Sequence, residues 1–318
     1  MGYLACGIIP PITFQEYAQS LDERIKLFPE SKELYENLCD FVTPPKEAKS
    51  IIVCTLRYNQ YKIPASLDGL IGKSYLFDAR LSYAPEKRLE AEFEEYLKLL
   101  GINILQCGVP DRLAAAKAGL GKFGRNNFIY DNEHGSYIVI GTYVVDKELD
   151  YDPIAEKIVL PQCSDNCERC VKSCPTKALS GGFKMNRGKC VTQINCYAKN
   201  ILDRDTRTQM GSWLYGCDAC QDACPVNNGK LTESSEFPLL KEYEEYLKPE
   251  NLLEMDENTF ANIVYPRFWY IGTDKLWLWK CNVLRYMMNS GDGKYRHLIE
   301  KYSKHEDERI REVAQSGY

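Results

Sequence analysis

Nine of the 14 cysteines in this 318-residue chain fall between Cys163 and Cys224, and only Cys6, Cys39, Cys54, Cys107 and Cys281 lie outside that stretch. Two runs carry the pattern: Cys163-x3-Cys167-x2-Cys170-x3-Cys174-Pro175 and Cys217-x2-Cys220-x3-Cys224-Pro225. Closely spaced thiolates on a tight turn can grip three corners of one metal cubane, and the cysteine before each proline then points away toward a second. Proline enforces the change of direction and offers no N–H donor. No apolar run approaches the about 20 residues that span a bilayer. The start, Met1 to Cys6, lacks a basic stretch ahead of an apolar one, so it does not read as a signal peptide. The expected location is the cytoplasm with no membrane partner, and there a cysteine-dense stretch reads as metal-binding or catalytic rather than as a disulfide framework.

The spacing is close to the C-x2-C-x2-C-x3-C-P run of two-cluster bacterial ferredoxins, departing only in the x3 after Cys163. The crossing rule assigns Cys163, Cys167, Cys170 and Cys224 to one [4Fe–4S] cluster. Cys174, Cys217, Cys220 and one more cysteine, Cys190 or Cys196, go to a second. Zinc also uses C-x2-C pairs, but it gives no reason for two Cys-Pro endings. Two such clusters carry single electrons, so a ferredoxin- or flavodoxin-type electron donor is expected.

Around this segment the periodicity reads as α+β. Strands are expected over 3–9, 50–56 and 136–146, and helices over 13–27, 30–41 and 86–100. The last of these helices shows Leu89, Phe93, Tyr96 and Leu97 on one face. From Trp277 onward the chain reads as all helical, with Trp277, Trp279 and Tyr286 as core. Three regions follow: 1–158 as a cofactor- and substrate-binding α+β domain, 159–235 as the double-cluster segment, and 236–318 as a helical region.

Gly119-Leu-Gly121-Lys-Phe-Gly124 matches G-x-G-x-x-G, but it follows a helix-like run and leads toward a strand, the inverse of a dinucleotide-binding context. One reading is a helix C-cap and turn. Another is bare backbone that admits a large flat ligand, with Lys122, Phe123, Arg125, Asn126 and Asn127 completing the contact and the polar members supplying donors. Tyr83 is a candidate general acid. Cys107 is a candidate thiol donor, set against its ordinary role as a small buried hydrophobe. With Lys+Arg at 40 and Asp+Glu at 45 the net charge is −5, which argues against a basic nucleic-acid footprint.

The run Ala116 to Asn127, then Gly135-Ser136 and a strand, then Gly216-Cys-Asp-Ala-Cys-Gln-Asp-Ala-Cys-Pro-Val-Asn227, resembles the epoxyqueuosine reductase family, relatives of the corrinoid reductive dehalogenases. The resemblance covers roughly 45–318. It implies a nitroreductase-like fold holding a base-off cobalamin, a HEAT-type start to the C-terminal helices, and Cys190 as the remaining ligand of the second cluster, leaving Cys196 spare. The chain has three histidines, His134, His297 and His305, and no Asp-x-His-x-x-Gly, which is compatible with that cobalamin. The family's aspartate ahead of the Pro-x-x-acidic-Arg segment is missing, its place taken by Leu105 or Cys107. Its Asp-Tyr-His becomes Ser82-Tyr83-Ala84. The expected function is therefore a cobalamin-dependent iron–sulfur reductase of a small or medium organic substrate. An electron-transfer or corrinoid-activating protein is the first alternative, and tRNA epoxyqueuosine reduction, with tRNA an improbable partner, is the second.

Overall fold

The computed structural model describes residues 2–163 and 166–316, so Met1, from which the N-terminal reading began, lies outside them. In chain order it forms β1 (Ala5–Ile9), α1 (Gln15–Leu27), α2 (Lys32–Glu36), β2 (Ser50–Arg57), α3 (Pro85–Leu99) and α4 (Asp111–Lys117). The hairpin β3 (Lys122–Phe123) and β4 (Ile129–Tyr130) follows, then β5 (Ile138–Val145). The cysteine-rich segment holds α5 (Arg169–Ser173), the hairpin β6 (Leu179–Gly181) and β7 (Lys184–Met185), α6 (Val191–Tyr197) and α7 (Ala219–Asp222). Near the C-terminus lie α8 (Leu276–Ser290), α9 (Arg296–Tyr302) and α10 (Glu308–Gln315). The result is a mixed α/β fold. Among the described residues no helix is long and apolar enough to cross a membrane.

β1, β2 and β5 form an antiparallel sheet in the order β1-β2-β5, with Cys6 opposite Cys54 and Cys54 opposite Gly141. Strand alternation sends neighbouring residues to opposite faces, and each face is covered by a different helix. Ile51, Val53 and Val144 pack with Leu113, Ala114 and Ala115 of α4. Ile52, Cys54, Tyr143 and Val145 pack with Phe93 and Leu97 of α3. The run of alanines in α4 lets that helix lie close to the sheet, which sets the position of everything at its N-terminus.

The largest core joins residues 58–84 to the C-terminal helices. Trp279 is fully buried and stacks on Tyr215, with ring centroids 5.4 Å apart and an interplanar angle of 6°. α8 stops where Gly291 adopts φ 64°, the left-handed cap that glycine takes without a Cβ penalty.

Two local expectations differ from the structure. The stretch 30–41 is not one helix: Pro29–Ser31 and Cys39–Phe41 are single 3-10 turns flanking α2. Tyr35, instead of extending a helical stripe, is drawn inward, and its hydroxyl donates to the Met185 carbonyl. On α3, Tyr96 is 45% exposed and off the buried face, because the sheet reaches only as far as Phe93 and Leu97.

Candidate functional site

The cysteines form two groups. Cys170 lies among Cys163, Cys224 and Cys167, close enough for their charges to act on one another. Cys220 lies among Cys217, Cys190 and Cys174 in the same way. The residues before the two prolines thus cross over: Cys224 joins the first run, and Cys174 joins the second. Burial first, then repulsion from neighbouring sulfurs, pushes up the thiols of Cys170, Cys217 and Cys220. A bound cationic metal core reverses that penalty by favouring thiolate. Among the described residues no three His, Cys, Asp or Glu converge to hold a single ion. A cubane asks for something else, one thiolate at each corner.

Cys196, the other candidate for the eighth position, is fully buried in the main core, and its thiol donates to Asn195 Oδ1 at 3.2 Å. Burial pushes that thiol up to about 12. Cys190 instead sits at the start of α6 beside Cys174, where backbone N–H groups of Thr192 and Gln193 reach its sulfur.

The glycine loop braces the first group. α4 ends in Gly119 at φ 75°, and the chain then turns into the β3–β4 hairpin. A Cβ at Gly121 would stand 2.5 Å from the Ile129 side chain, and one at Gly124 2.4 Å from the Tyr130 ring. These two glycines are therefore required by the hairpin's own packing. Lys122 pairs with Tyr130 across the hairpin. Phe123 bonds Ile158 and Leu160 through its backbone, carrying the hairpin onto the cluster segment. The Arg125 backbone N–H reaches the Cys163 sulfur. The Asn126 side chain donates to the Cys220 carbonyl at 3.2 Å, and Tyr130 bonds Cys224.

Beside the second group is a gathering of charged side chains that the sequence did not reveal. Tyr17 of α1 lies within the electrostatic reach of Arg24, Arg187, Arg112 and Asp111. Arg24 Nη2 donates to Asn127 Oδ1 at 3.0 Å, and Arg112 Nη1 to the Asn127 carbonyl at 3.0 Å. Arg112 also feels Cys220 and Tyr75. Enclosure by surrounding protein lowers Arg24 and Arg112 and raises Asp111, while Asp111 and Arg112 both keep exposed surface; Asp111 Oδ1 accepts from the Thr142 hydroxyl at 2.6 Å. Asp111-Arg112 was visible as an acidic-Arg pair. Arg24 and Tyr17 had no signal, since about a hundred residues separate them from the loop they meet.

The two candidate catalytic residues lie in different surroundings. The Tyr83 hydroxyl accepts from Arg267 Nη2 at 2.8 Å, and burial pushes it up to about 12. Cys107 is exposed, on the loop ahead of α4, with its thiol raised by burial of its inner side.

The two cysteine groups and the fold define a double-cluster iron–sulfur protein: residues 162–227 match the family model described as a 4Fe-4S double cluster binding domain. The particular likeness is to epoxyqueuosine reductase. A relative of that name from Cellulophaga algicola is 29% identical over 239 residues, 71% of this chain and 76% of the relative. One from Staphylococcus aureus is 36% identical over 152 residues, 47% of this chain and 38% of the relative. The fold matches the solved epoxyqueuosine reductase of Streptococcus thermophilus with a TM-score of 0.77 at 21% identity, covering 99% of this chain and 86% of the other. It matches a crystal structure of epoxyqueuosine reductase with an epoxyqueuosine-modified tRNA-Tyr stem loop with a TM-score of 0.76 at 24% identity, with the same coverage.

These comparisons correct the expected function. The reading that placed a small or medium organic substrate first, and tRNA last, is overturned by relatives named epoxyqueuosine reductase. The physical reason for the error is that net charge averages over the chain, whereas Arg24, Arg112 and Arg187 gather around Tyr17.

Proposed function

We propose that this protein reduces the epoxide of epoxyqueuosine in tRNA. One observation carries the reading: Arg24, Arg112 and Arg187 gather with one acidic group, Asp111, beside Cys220 of the second cysteine set, and would line a substrate cleft there. The eight cysteines of the two groups hold two [4Fe–4S] clusters, with Cys190 as the eighth ligand. A ferredoxin- or flavodoxin-type donor supplies electrons singly, and the clusters pass them to the cleft. Removing the epoxide oxygen leaves an alkene and releases water, which takes two electrons and two protons; Asp111 is placed to give the first proton to that oxygen, and solvent gives the second. Thr142 fixes the Asp111 carboxyl, and Arg112 sits alongside. Arg24 and Arg187 offer charge for the substrate's phosphates.

A cobalamin suits this cleft. Asn127 Nδ2 is buried with no acceptor, and beside it the guanidiniums of Arg24 and Arg112 would meet a cofactor rich in amide and phosphate oxygen. Those three residues would hold it. When bound it supplies reducing power at cobalt that side chains lack. The helices from α8 onward would serve as a HEAT-type platform behind the cleft.

The test offers an epoxyqueuosine-containing tRNA stem loop to the anaerobically reconstituted full chain with a reductant and cobalamin. Nucleoside mass spectrometry reads the loss of the epoxide oxygen, and cobalt retained after desalting is measured in parallel. Conversion supports the assignment. A fully loaded enzyme that leaves the nucleoside intact overturns it.

A further inference from the structure

β1 is an edge strand of the sheet, and its antiparallel register sets Cys6 directly opposite Cys54 of β2. Residues so paired share a face, with Cα atoms about 4.5–5.5 Å apart, within the range that a disulfide spans. The two sulfurs lie 2.8 Å apart and share a hydrogen bond. Joining them therefore needs no movement of the backbone. Both are on the α3 side of the sheet, where Cys54 packs with Ile52, Tyr143 and Val145 against Phe93 and Leu97. Neither belongs to the two cluster groups. Among the described residues no three His, Cys, Asp or Glu converge to hold an ion, so the pair has no third ligand there for a metal.

The two thiols are unequal. Cys6 is exposed, and Cys54 is fully buried. Their hydrogen bond lowers the Cys6 thiol and raises that of Cys54. Cys6 is therefore the one that ionises, and the Cys54 S–H then donates to its sulfur. A thiolate open to solvent is the nucleophile in disulfide exchange. A second thiol in contact with it is placed to resolve the mixed disulfide.

We propose that Cys6 and Cys54 are a redox-responsive dithiol, which a low-molecular-weight disulfide converts into one intrachain bond between β1 and β2. With glutathione disulfide as oxidant, the Cys6 thiolate attacks one of its sulfurs. The oxidant's S–S bond breaks, and one glutathione leaves as thiolate. Cys54 then attacks the Cys6 sulfur, and the second glutathione leaves. Two protein thiols are oxidised, one glutathione disulfide is reduced to two thiols, and the two protein protons end on them. Cys54, shut off from solvent, is oxidised only through Cys6. The bond staples an edge strand and leaves the eight cluster cysteines untouched. Because Cys6 is exposed, a small thiol can reverse it.

The experiment equilibrates the reconstituted full chain anaerobically in glutathione buffers, from fully reduced to fully oxidised. Remaining thiols are alkylated under denaturing conditions and peptides are mapped by mass spectrometry. Iron is measured on the same samples, and nonreducing electrophoresis separates bonds within a chain from bonds between chains. The expected result in the parent is loss of alkylation at both Cys6 and Cys54, a linked peptide pair from one chain and unchanged iron. Both thiols should return on adding dithiothreitol. Cys54→Ser should stop at a mixed disulfide of Cys6 with glutathione, and Cys6→Ser should leave Cys54 free. If Cys54→Ser, a change inside the core, alters the melting curve, the parent and Cys6→Ser decide. Thiols that stay free in the most oxidising buffer, or a parent that stops at the mixed disulfide, overturn the proposal. So does a bond between chains, a bond that forms only as iron is lost, or glutathione on Cys54 in Cys6→Ser.

Discussion

The side-chain amide of Asn126 spans the junction between the glycine loop and the cluster segment, donating to the Tyr130 hydroxyl at 2.9 Å and to the Cys220 carbonyl at 3.2 Å. Asn126 is 4% exposed. The loop is therefore part of the wall that holds the cysteines in place. Asn126→Ala strands a buried carbonyl and hydroxyl, at a cost of about 1–3 kcal/mol. Urea denaturation of the reconstituted protein should show that loss together with faster iron release. Unchanged stability and iron retention would remove the loop's bracing role.

The cysteine groups make a prediction about stoichiometry. Cys170→Ser and Cys217→Ser should each drop iron from about eight to about four per chain, because each variant breaks one four-thiolate set. Cys196→Ala should keep about eight, since its thiol is engaged by Asn195 inside the core. Iron and acid-labile sulfide assays with EPR read all three. A Cys196→Ala protein that loses a cluster while Cys190→Ala keeps both would exchange the two assignments.

Asp111 should leave its mark in the pH dependence. Burial holds its carboxyl above the ordinary aspartate value, against the opposing pull of the Thr142 hydroxyl and Arg112. A raised carboxyl stays protonated to higher pH than usual, so the acid form is present below the raised value and is lost as pH climbs through it. Turnover that draws its proton from Asp111 falls on that alkaline side. Asp111→Asn should lower kcat by about 10²–10⁴-fold, leave KM little changed and abolish the alkaline limb. A variant with the parent's pH profile would assign the proton to another group.

Trp279 couples the C-terminal helices to the segment that leads into the second cysteine run, through its flat stack on Tyr215. Trp279→Ala should cost about 3–5 kcal/mol. Trp279→Phe should cost clearly less, because the indole Nε1 is buried without a partner and phenylalanine removes that unpaired group. Thermal melts of the two variants make the comparison. Equal losses would overturn both the volume argument and the unpaired state of Nε1.

Local chemistry made much of this protein legible from its sequence. Cysteine spacing and Cys-Pro endings foretold the double-cluster segment, because ligation geometry is written into a few neighbouring residues. Short apolar runs located β2 and β5, and the helical period located α3, because each is a response to local burial. Tertiary structure decided what depends on distant partners. It made glycine necessary at Gly121 and Gly124 by folding Ile129 and Tyr130 against them. It also drew Arg24 onto Asn127 and set Tyr17 beside Asp111 and Arg112, so that an acidic chain carries a local gathering of cations. Net charge and periodicity sum over residues without regard to where the chain returns. The gathering exists only because α4 packs beside α1, and long-range packing alone sets that approach.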